Sequence, residues 1–282
     1  MSMGNLGPYS LAGKLGAGDM GTCYKTAANP PQCLKVLDKI DTSARMQREA
    51  GIEIIEVAAT LEHPRLWNID AVLDSPDGNG QVAVVMPLSP VGSLADLFKK
   101  GKQPPPKVAF GMITQVSEAL GYLHEQEIAH GSIKPSNVLL DKNGGAHLTD
   151  LPMAHLRELG FVPAQPTKMQ LLFMPPEREY HAPPDIAADV FGLAVLAYLL
   201  LTTKMPFTET EAAARGIVPQ HNLPPALCAV LRRAVNQHTR LRYTSLDELM
   251  TALRDASRGK VDEQTERVFG VNAPPPGPED AL

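Results

Sequence analysis

The sequence has few cysteines, no excess of positive charge and no long apolar run, and each shortage excludes a class of protein. Only three of its 282 residues are cysteine, which argues against a disulfide framework and for a reducing compartment. No apolar run reaches the roughly 18 residues that a membrane-spanning helix needs, and the N-terminus lacks the charged-then-apolar pattern of a signal peptide. The net charge of −5 provides no basic surface, so nucleic acid is not an expected partner.

What the sequence does contain is enough apolar residues for a full core. The hydrophobic content is 44%, which suits one large domain or two lobes. Residues 9–37 alternate short apolar runs with glycines, which predicts a twisted antiparallel sheet. Residues 42–61 carry apolar side chains at helical spacing, and two short strands are predicted near 67–73 and 82–86. From residue 90 onward the pattern is mainly helical.

The most informative segment is H-G-S-I-K-P-S-N at residues 130–137. It resembles the catalytic loop of the protein kinase family, H-R-D-x-K-x-x-N. His130, Lys134 and Asn137 fall on matching positions. Ser132 stands where the family has the Asp that accepts the substrate hydroxyl proton. A serine hydroxyl is a poor proton acceptor near neutral pH, so the resemblance implies a site that has lost its usual base.

The resemblance covers residues 9–257 and implies an α+β fold with two lobes. The N-terminal lobe would hold a five-stranded antiparallel sheet and one main helix, and the larger C-terminal lobe would be helical. The domain boundaries that follow are an N-terminal lead at 1–8, an N-lobe at 9–89, a C-lobe at 90–257 and a Pro-rich tail or linker at 258–282. Among protein kinases, the loop phrase K-P-S-N-V-L-L most resembles bacterial serine/threonine kinases.

Two elements of the resemblance concern nucleotide phosphates. Gly16, Gly18 and Gly21 match the family's Gly-rich loop, whose backbone N–H groups approach the phosphates closely. Lys35 follows at the family's spacing, which implies contact with the α- and β-phosphates. Asp19 at the loop tip opposes this interpretation, because a carboxylate repels phosphate.

In active kinases the equivalent of Lys35 pairs with a glutamate on the following helix. Counting back from the H-P pair at 63–64 by the family's spacing leads to Ile54 rather than to an acid. The sequence leaves two alternatives open. A one-residue insertion after the helix would restore Glu53 as the partner; otherwise the ion pair is broken, and both Glu53 and Glu56 face solvent.

The segment T-D-L-P at 149–152 stands where the family has D-F-G. The resemblance therefore assigns Asp150 and Asn137 as ligands of magnesium. Leu151 would replace the family's Phe as an apolar plug. Pro152 replaces the glycine, which restricts the backbone and removes an N–H, so the loop is expected to switch less freely.

The resemblance also places the adenine. Met86 matches the gatekeeper, the carbonyl of Pro87 would accept from the base, and the N–H of Ser89 would donate to it. The remaining contacts would be apolar and come from Cys23, Cys33 and Leu139. For the two cysteines, a redox pair on adjacent strands is the alternative to a role as small hydrophobic residues.

The residues that hold the kinase fold together are retained, whereas one contact of the catalytic site is lost. Asp189 matches the helix Asp that bonds the catalytic-loop backbone, and His130 would lie beneath that loop. Arg242 matches the Arg that pairs with Glu177. Gln170 replaces the Thr that bonds the catalytic Asp in active members, so that Thr and the Asp are absent together.

These features suggest three functions. The leading hypothesis is a pseudokinase that binds ATP, with or without magnesium, through Lys35, Asn137 and Asp150 and acts as a scaffold or allosteric signalling module. The alternatives are a weakly active serine/threonine protein kinase, because phosphoryl transfer depends mostly on positioning and charge, and a protein interaction module that binds no nucleotide, which Asp19 and Pro152 favour.

The expected partners are ATP and a protein that the sequence does not identify. The expected location is the cytoplasm. The Pro-rich C-terminal tail also suggests a longer protein, anchored in a membrane beyond residue 282.

Overall fold

Strands occupy the first third of the chain and helices most of the remainder, so the predicted α+β class is confirmed. The computed structural model describes residues 4–18, 21–37, 45–74, 76, 80–151, 155–156, 168–177, 185–207 and 223–270. The chain divides into two compact units. Unit 1 consists of Met1–Ser93 and Asn137–Thr167, and unit 2 of Leu94–Ser136 and Lys168–Leu282. The domain boundaries drawn from the sequence stay a prediction.

Unit 1 is built on an antiparallel sheet with the strand order β1-β2-β3-β4-β6-β5. Its strands are β1 (Asn5–Leu6), β2 (Tyr9–Gly18), β3 (Gly21–Thr26), β4 (Gln32–Leu37), β5 (Ala71–Asp74) and β6 (Val82–Pro87). The sheet therefore has six strands among the described residues and not the five expected. The additional strand is β1, which pairs with β2 through a tight turn. Gly7 adopts a φ of 54° in that turn, a value that glycine reaches without steric cost.

Side chains alternate between two hydrophobic clusters on the faces of this sheet, as the period of a β-strand requires. One cluster contains Leu34, Val36, Ala83 and Val85, together with Leu11. The other, called the inner cluster here, consists of the buried residues Leu37, Ile55, Val82, Val84, Met86 and Leu156. Because β4 and β6 contribute to both clusters, they form the rigid centre of the unit.

One helix and a small second sheet complete unit 1. Helix α1 (Arg45–Ala59) lies within the predicted 42–61, and its Ile55 is fully buried in the inner cluster. Strand β5 begins at Ala71, so the predicted strand near 67–73 starts later than expected. The second sheet has the order β7-β8-β9 and consists of β7 (Gly92–Ser93), β8 (Val138–Leu140) and β9 (Ala146–Leu148).

In its described part, unit 2 consists of helices and short 3-10 turns. Its helices are α2 (Leu94–Lys99), α3 (Pro106–Glu125), α4 (Lys168–Phe173), α5 (Ile186–Thr202), α6 (Pro225–Ala234), α7 (Leu246–Ala256) and α8 (Glu263–Phe269). Helix α5 is apolar around almost its whole circumference and almost fully buried, which makes it the central helix of the unit. Asp185 caps its N-terminus by accepting the N–H of Ala188 at 2.8 Å. No helix in the described part is long and apolar enough to cross a membrane.

Candidate functional site

Strands β2 and β3 form the predicted Gly-rich hairpin. Gly16 lies opposite Cys23, and Gly18 lies opposite Gly21. Gly21 has a φ of 132°, and a Cβ there would collide with the carbonyl of Val36, so this glycine is required by the fold alone. A Cβ at Gly16 or Gly18 would meet no atom within 4 Å. The absence of side chains at these two positions is therefore not explained by packing, and it suits close approach of a ligand. Asp19 lies outside the described residues.

Lys35 and Asp150 form a short ion pair in unit 1. The Nζ atom of Lys35 lies 2.7 Å from Oδ2 of Asp150, and Lys35 is only 5% exposed. Burial lowers the pKa of the Lys35 ammonium, but the charge and hydrogen bond of the Asp150 carboxylate, together with the neighbouring Cys23 and Cys33, hold this pKa above its usual value. The predicted phosphate-binding cation and the predicted metal-binding carboxylate are thus brought together.

Glu53 does not take part in this pair. Its side chain is exposed, as is that of Glu56, and within the described part of the chain Lys35 is bonded to Asp150. Of the two alternatives that the sequence leaves open, the structure agrees with the broken pair, in which Glu53 and Glu56 are exposed. The physical reason lies in α1, whose buried face is set by Ile55 and not by the neighbouring acids.

Leu156 is a residue that the sequence analysis missed. It lies six residues after Asp150 and is fully buried in the inner cluster, together with Ile55 of α1 and Met86 of β6. Leu156 is one of several apolar residues in this stretch of the sequence, with Leu151, Leu159 and Phe161, and no sequence pattern identifies in advance which of them packs in the inner cluster. Pro152 lies outside the described residues.

Met86 and Pro87, the predicted gatekeeper and adenine acceptor, end β6. Met86 is 6% exposed and belongs to the inner cluster. The carbonyl of Pro87 accepts a hydrogen bond from Nε1 of Trp67 at 2.8 Å, a contact that the sequence analysis missed. The predicted acceptor for adenine is therefore already engaged through one of its two lone pairs.

Ser89 has a structural role through its hydroxyl group. The hydroxyl donates to the carbonyl of Leu140 and accepts the N–H of Gly92, both at 2.8 Å, and so ties the segment after β6 to the second sheet. The backbone N–H of Ser89 makes no hydrogen bond within the described residues. That N–H is the donor predicted for adenine.

The side chains predicted to surround the adenine all belong to unit 1. Cys33 lies opposite Met86 across β4 and β6, and Cys23 lies on the neighbouring strand β3. Both cysteines are half-buried. Leu139 is also half-buried, in β8, where it lies opposite His147 of β9.

Asn137, the second predicted metal ligand, closes a 3-10 turn just before β8. It is 3% exposed, and its carbonyl accepts the N–H of Thr149 at 3.0 Å. This bond holds Asn137 next to the residue that precedes Asp150. An amide and a carboxylate fit the oxygen preference of magnesium, which is usually completed by water and substrate phosphates. Among the described residues no three His, Cys, Asp or Glu side chains form a metal-binding group of their own.

In unit 2, Asp189 organises the segment that resembles the catalytic loop. It is fully buried and accepts the N–H groups of His130 at 2.8 Å and of Gly131 at 2.7 Å. His124 adds a ring nitrogen at 2.8 Å. Gly131 has a φ of 67°, which a glycine adopts readily. The loop backbone is therefore held by a buried carboxylate, as the resemblance implies.

Ser132 and Lys134 follow on this loop. The N–H of Ser132 donates to Nδ1 of His130 at 3.2 Å, and Ser132 is half-buried. Lys134 is 8% exposed. The loop is thus ordered in unit 2 with a hydroxyl group at the position where the family has a carboxylate.

Glu177 and Arg242 form a two-pronged ion pair in unit 2. Nη1 and Nη2 of Arg242 donate to the two carboxylate oxygens of Glu177 at 2.6 and 2.7 Å. Nε also donates to the carbonyl of Asn236 at 2.8 Å. Because Arg242 is only 1% exposed, the pair is a structural element of the helical unit and not a surface contact.

A sequence profile of the protein kinase domain matches residues 9–254 of this chain. The chain is also 31% identical over 278 residues to the serine/threonine-protein kinase PknJ of Mycobacterium tuberculosis. This alignment covers 89% of this chain and 46% of that protein. It is 28% identical over 275 residues to PknE of Mycobacterium bovis, with the same coverage.

A third relative comes from a vertebrate. Serine/threonine-protein kinase 36 of Pongo abelii is 31% identical over 206 residues, covering 72% of this chain and 15% of that protein. The chain therefore spans less than half the length of each of these relatives. The predicted resemblance to bacterial serine/threonine kinases is confirmed.

Proposed function

Because this chain belongs to the protein kinase family, we propose that it is a pseudokinase that binds ATP with magnesium and signals through a protein partner. The observation that carries the proposal is the combination of two sites. Lys35 and Asp150 are retained and paired in unit 1, whereas Ser132 replaces the proton-accepting Asp in unit 2.

For a nucleotide to bind, Lys35 and Asp150 would have to give up their ion pair and take new partners. Lys35 would leave Asp150 for the phosphates, while Asp150 and Asn137 would hold the magnesium ion. The charge of each group remains compensated only if both exchanges occur together, because a phosphate next to an unpaired Asp150 is repelled. Magnesium would supply the positive charge that shields the phosphates.

The loss of transfer follows from the chemistry of Ser132. A positioned base contributes about 10²–10⁴-fold to a proton-transfer step, and a serine hydroxyl does not take up a proton near neutral pH. The remaining residues of the loop, including Lys134, give order and charge without supplying that base. The chain would therefore bind nucleotide more effectively than it transfers phosphate.

Titration calorimetry with ATP, with and without magnesium, tests the nucleotide part. We expect magnesium to strengthen ATP binding by the wild type at least tenfold. In Asp150→Asn, magnesium should no longer strengthen ATP binding. Ser132→Asn is the matched control and should bind as the wild type does. Absence of binding under both conditions would overturn this part of the proposal.

A weakly active serine/threonine kinase is the second candidate. It is favoured by the names of these three relatives, which are all serine/threonine-protein kinases, and by the retained, buried Lys134. Radiolabel transfer to a generic substrate should be measured for the wild type, Ser132→Asp and Ser132→Asn. If Ser132→Asp increases the transfer of phosphate and Lys35→Met abolishes it, the absence of a base at residue 132 limits the wild-type reaction. Equal transfer by wild type and Ser132→Asp would show that the serine does not limit the reaction.

A module that binds no nucleotide is the third candidate. The bond from Trp67 to the Pro87 carbonyl favours it, because the base would find its expected acceptor already in use. The calorimetric titration separates this candidate from the first. In either case we expect the partner to be a protein and the domain to work in the cytoplasm.

A further inference from the structure

Two cysteines lie side by side on neighbouring strands of the main sheet, and the proposed nucleotide chemistry does not use their sulfur atoms. Cys23 in β3 is opposite Lys35 in β4, and Lys25 is opposite Cys33. Because side chains alternate along a strand, Cys23 and Cys33 occupy diagonal positions on one face of the sheet. Both thiols are free and half-buried.

We propose that Cys23 and Cys33 form a reversible redox pair, which a hydroperoxide converts into a disulfide between β3 and β4. The argument for the disulfide itself does not depend on nucleotide binding. It rests on the diagonal placement of two free thiols and on Lys35, which lies directly opposite Cys23.

The surroundings give the two thiols different roles. The neighbouring Cys33 thiol lowers the pKa of Cys23; burial and the Asp150 carboxylate oppose this effect, and the Lys35 ammonium adds to it. The neighbouring Cys23 thiol and burial raise the pKa of Cys33. Since the thiolate is the reactive form of cysteine, Cys23 is the residue that attacks the oxidant and Cys33 is the residue that resolves the product.

The reaction is balanced in two steps. First, the Cys23 thiolate attacks one oxygen of the hydroperoxide. A sulfur–oxygen bond forms, the oxygen–oxygen bond breaks, and the departing oxygen takes a proton to leave as water or an alcohol. Second, the Cys33 sulfur attacks the sulfenic acid sulfur of Cys23. The disulfide bond forms, the sulfur–oxygen bond breaks, and water leaves. Two thiols are oxidised by two electrons in total, and a dithiol reductant reverses the change.

The disulfide would alter the geometry of the sheet. Diagonal residues of an antiparallel pair lie about 7–8 Å apart between Cα atoms, slightly more than the usual upper limit of about 7 Å for a bridged pair. Closing the bridge therefore requires β3 and β4 to move by roughly 1 Å. Because β4 carries Lys35 and β3 belongs to the Gly-rich hairpin, this movement affects the proposed nucleotide site. That coupling, unlike the disulfide, rests on the proposed function.

Peptide mapping after treatment with hydrogen peroxide tests the disulfide. The expected product is a single linked pair of peptides containing Cys23 and Cys33, with loss of two hydrogen atoms from the intact chain and full reversal by dithiothreitol. Cys228 is fully buried in α6, so Cys228→Ser should give the same product. Absence of the link at peroxide concentrations that oxidise free glutathione would overturn the proposal.

Two sets of variants test the roles. Cys33→Ser should stop at a sulfenic acid on Cys23, which dimedone traps, whereas Cys23→Ser should give several-fold less trapped product at Cys33. Lys35→Met should slow alkylation of Cys23 several-fold, and Lys25→Met, which removes an exposed lysine on the same face, should slow it less. Sulfenic acid that forms first on Cys33, or equal effects of the two lysine variants, would overturn the assigned roles.

Calorimetry with magnesium-ATP on reduced and oxidised protein tests the coupling. The expected result is binding that oxidation weakens at least tenfold and that dithiothreitol restores. Equal binding by both forms would overturn the coupling. If the mapped disulfide forms but reduced protein does not bind ATP, the redox pair stands and the proposed nucleotide binding fails, so the two conclusions are distinguished.

Discussion

Replacing Asp150 by asparagine is expected to destabilise the protein, because it leaves Lys35 buried without its carboxylate. Removing one member of a buried ion pair costs about 3–5 kcal/mol. The side chain of Asp150 is 15% exposed, so the lower end of this range applies. For a chain of this size, a loss of about 3 kcal/mol corresponds to a melting temperature lower by roughly 6–9 °C.

The dependence of this effect on pH has a defined sign. In the wild type the pKa of Lys35 is raised. The ion pair therefore contributes its full stabilisation of the fold below the pKa of an unfolded lysine, about 10.4. This contribution is lost as pH rises through the pKa of Lys35 in the folded protein. In Asp150→Asn, the largest influence that opposes burial is removed, so the pKa of Lys35 falls. The difference between variant and wild type should therefore be largest near neutral pH and should shrink towards about pH 10.

Thermal melts of Lys35→Met, Asp150→Asn and the double variant measure the coupling. We expect the double variant to lose about 2–3 kcal/mol less stability than the two single variants lose in sum. Asp96→Asn is the control, because Asp96 pairs with the exposed Lys99 at 3.7 Å and should change stability by less than about 1 kcal/mol. If Asp150→Asn melts no lower than Asp96→Asn, the buried pair is not what stabilises this part of the protein.

Three further changes probe other contacts. Leu156→Ala should lower the free energy of unfolding by about 2–4 kcal/mol in urea titrations, because it opens a cavity in the inner cluster; unchanged stability would mean that this leucine is not buried in solution. Trp67→Phe should tighten ATP binding in calorimetry by roughly 2–10-fold, since it frees the Pro87 carbonyl; unchanged affinity would mean that the carbonyl accepts both donors or neither. Arg242→Lys should lower the melting temperature nearly as much as Glu177→Gln, because lysine lacks the planar fork that binds both carboxylate oxygens; a melting temperature equal to the wild type would refute the structural role of this pair.

Much of the fold could be predicted because it depends on local patterns. Alternation of apolar residues indicated the strands of unit 1. Helical spacing indicated α1, which begins three residues after and ends two residues before the predicted range 42–61. The loop that contains Ser132 and the ion pair of Arg242 with Glu177 were identified because their motifs have fixed spacing. Each of these features has a characteristic spacing of residues along the chain, so the sequence alone was enough to predict it.

The contacts that were missed join residues without a repeated pattern. The bond of Trp67 to Pro87 connects two loops or strand ends that are 20 residues apart, and no local rule predicts which carbonyl an indole meets. The strand β1 depends on a two-residue turn around Gly7 that is too short to show alternation. Glu53 was a candidate partner of Lys35 because counting residues does not determine how a helix is rotated about its axis.

That rotation explains how several features of unit 1 depend on each other. Glu53 and Ile55 are two residues apart, so their side chains point about 200° apart around α1. As long as Ile55 is buried against Leu156, Glu53 faces away from the cluster, and a Lys35–Glu53 pair would require α1 to turn or the cluster to open. Asp150 is then the acid that neutralises Lys35. In the proposed function, a bound nucleotide would draw Lys35 towards the phosphates and leave Asp150 for the metal, so we expect magnesium and ATP to bind to this chain together and each only weakly alone.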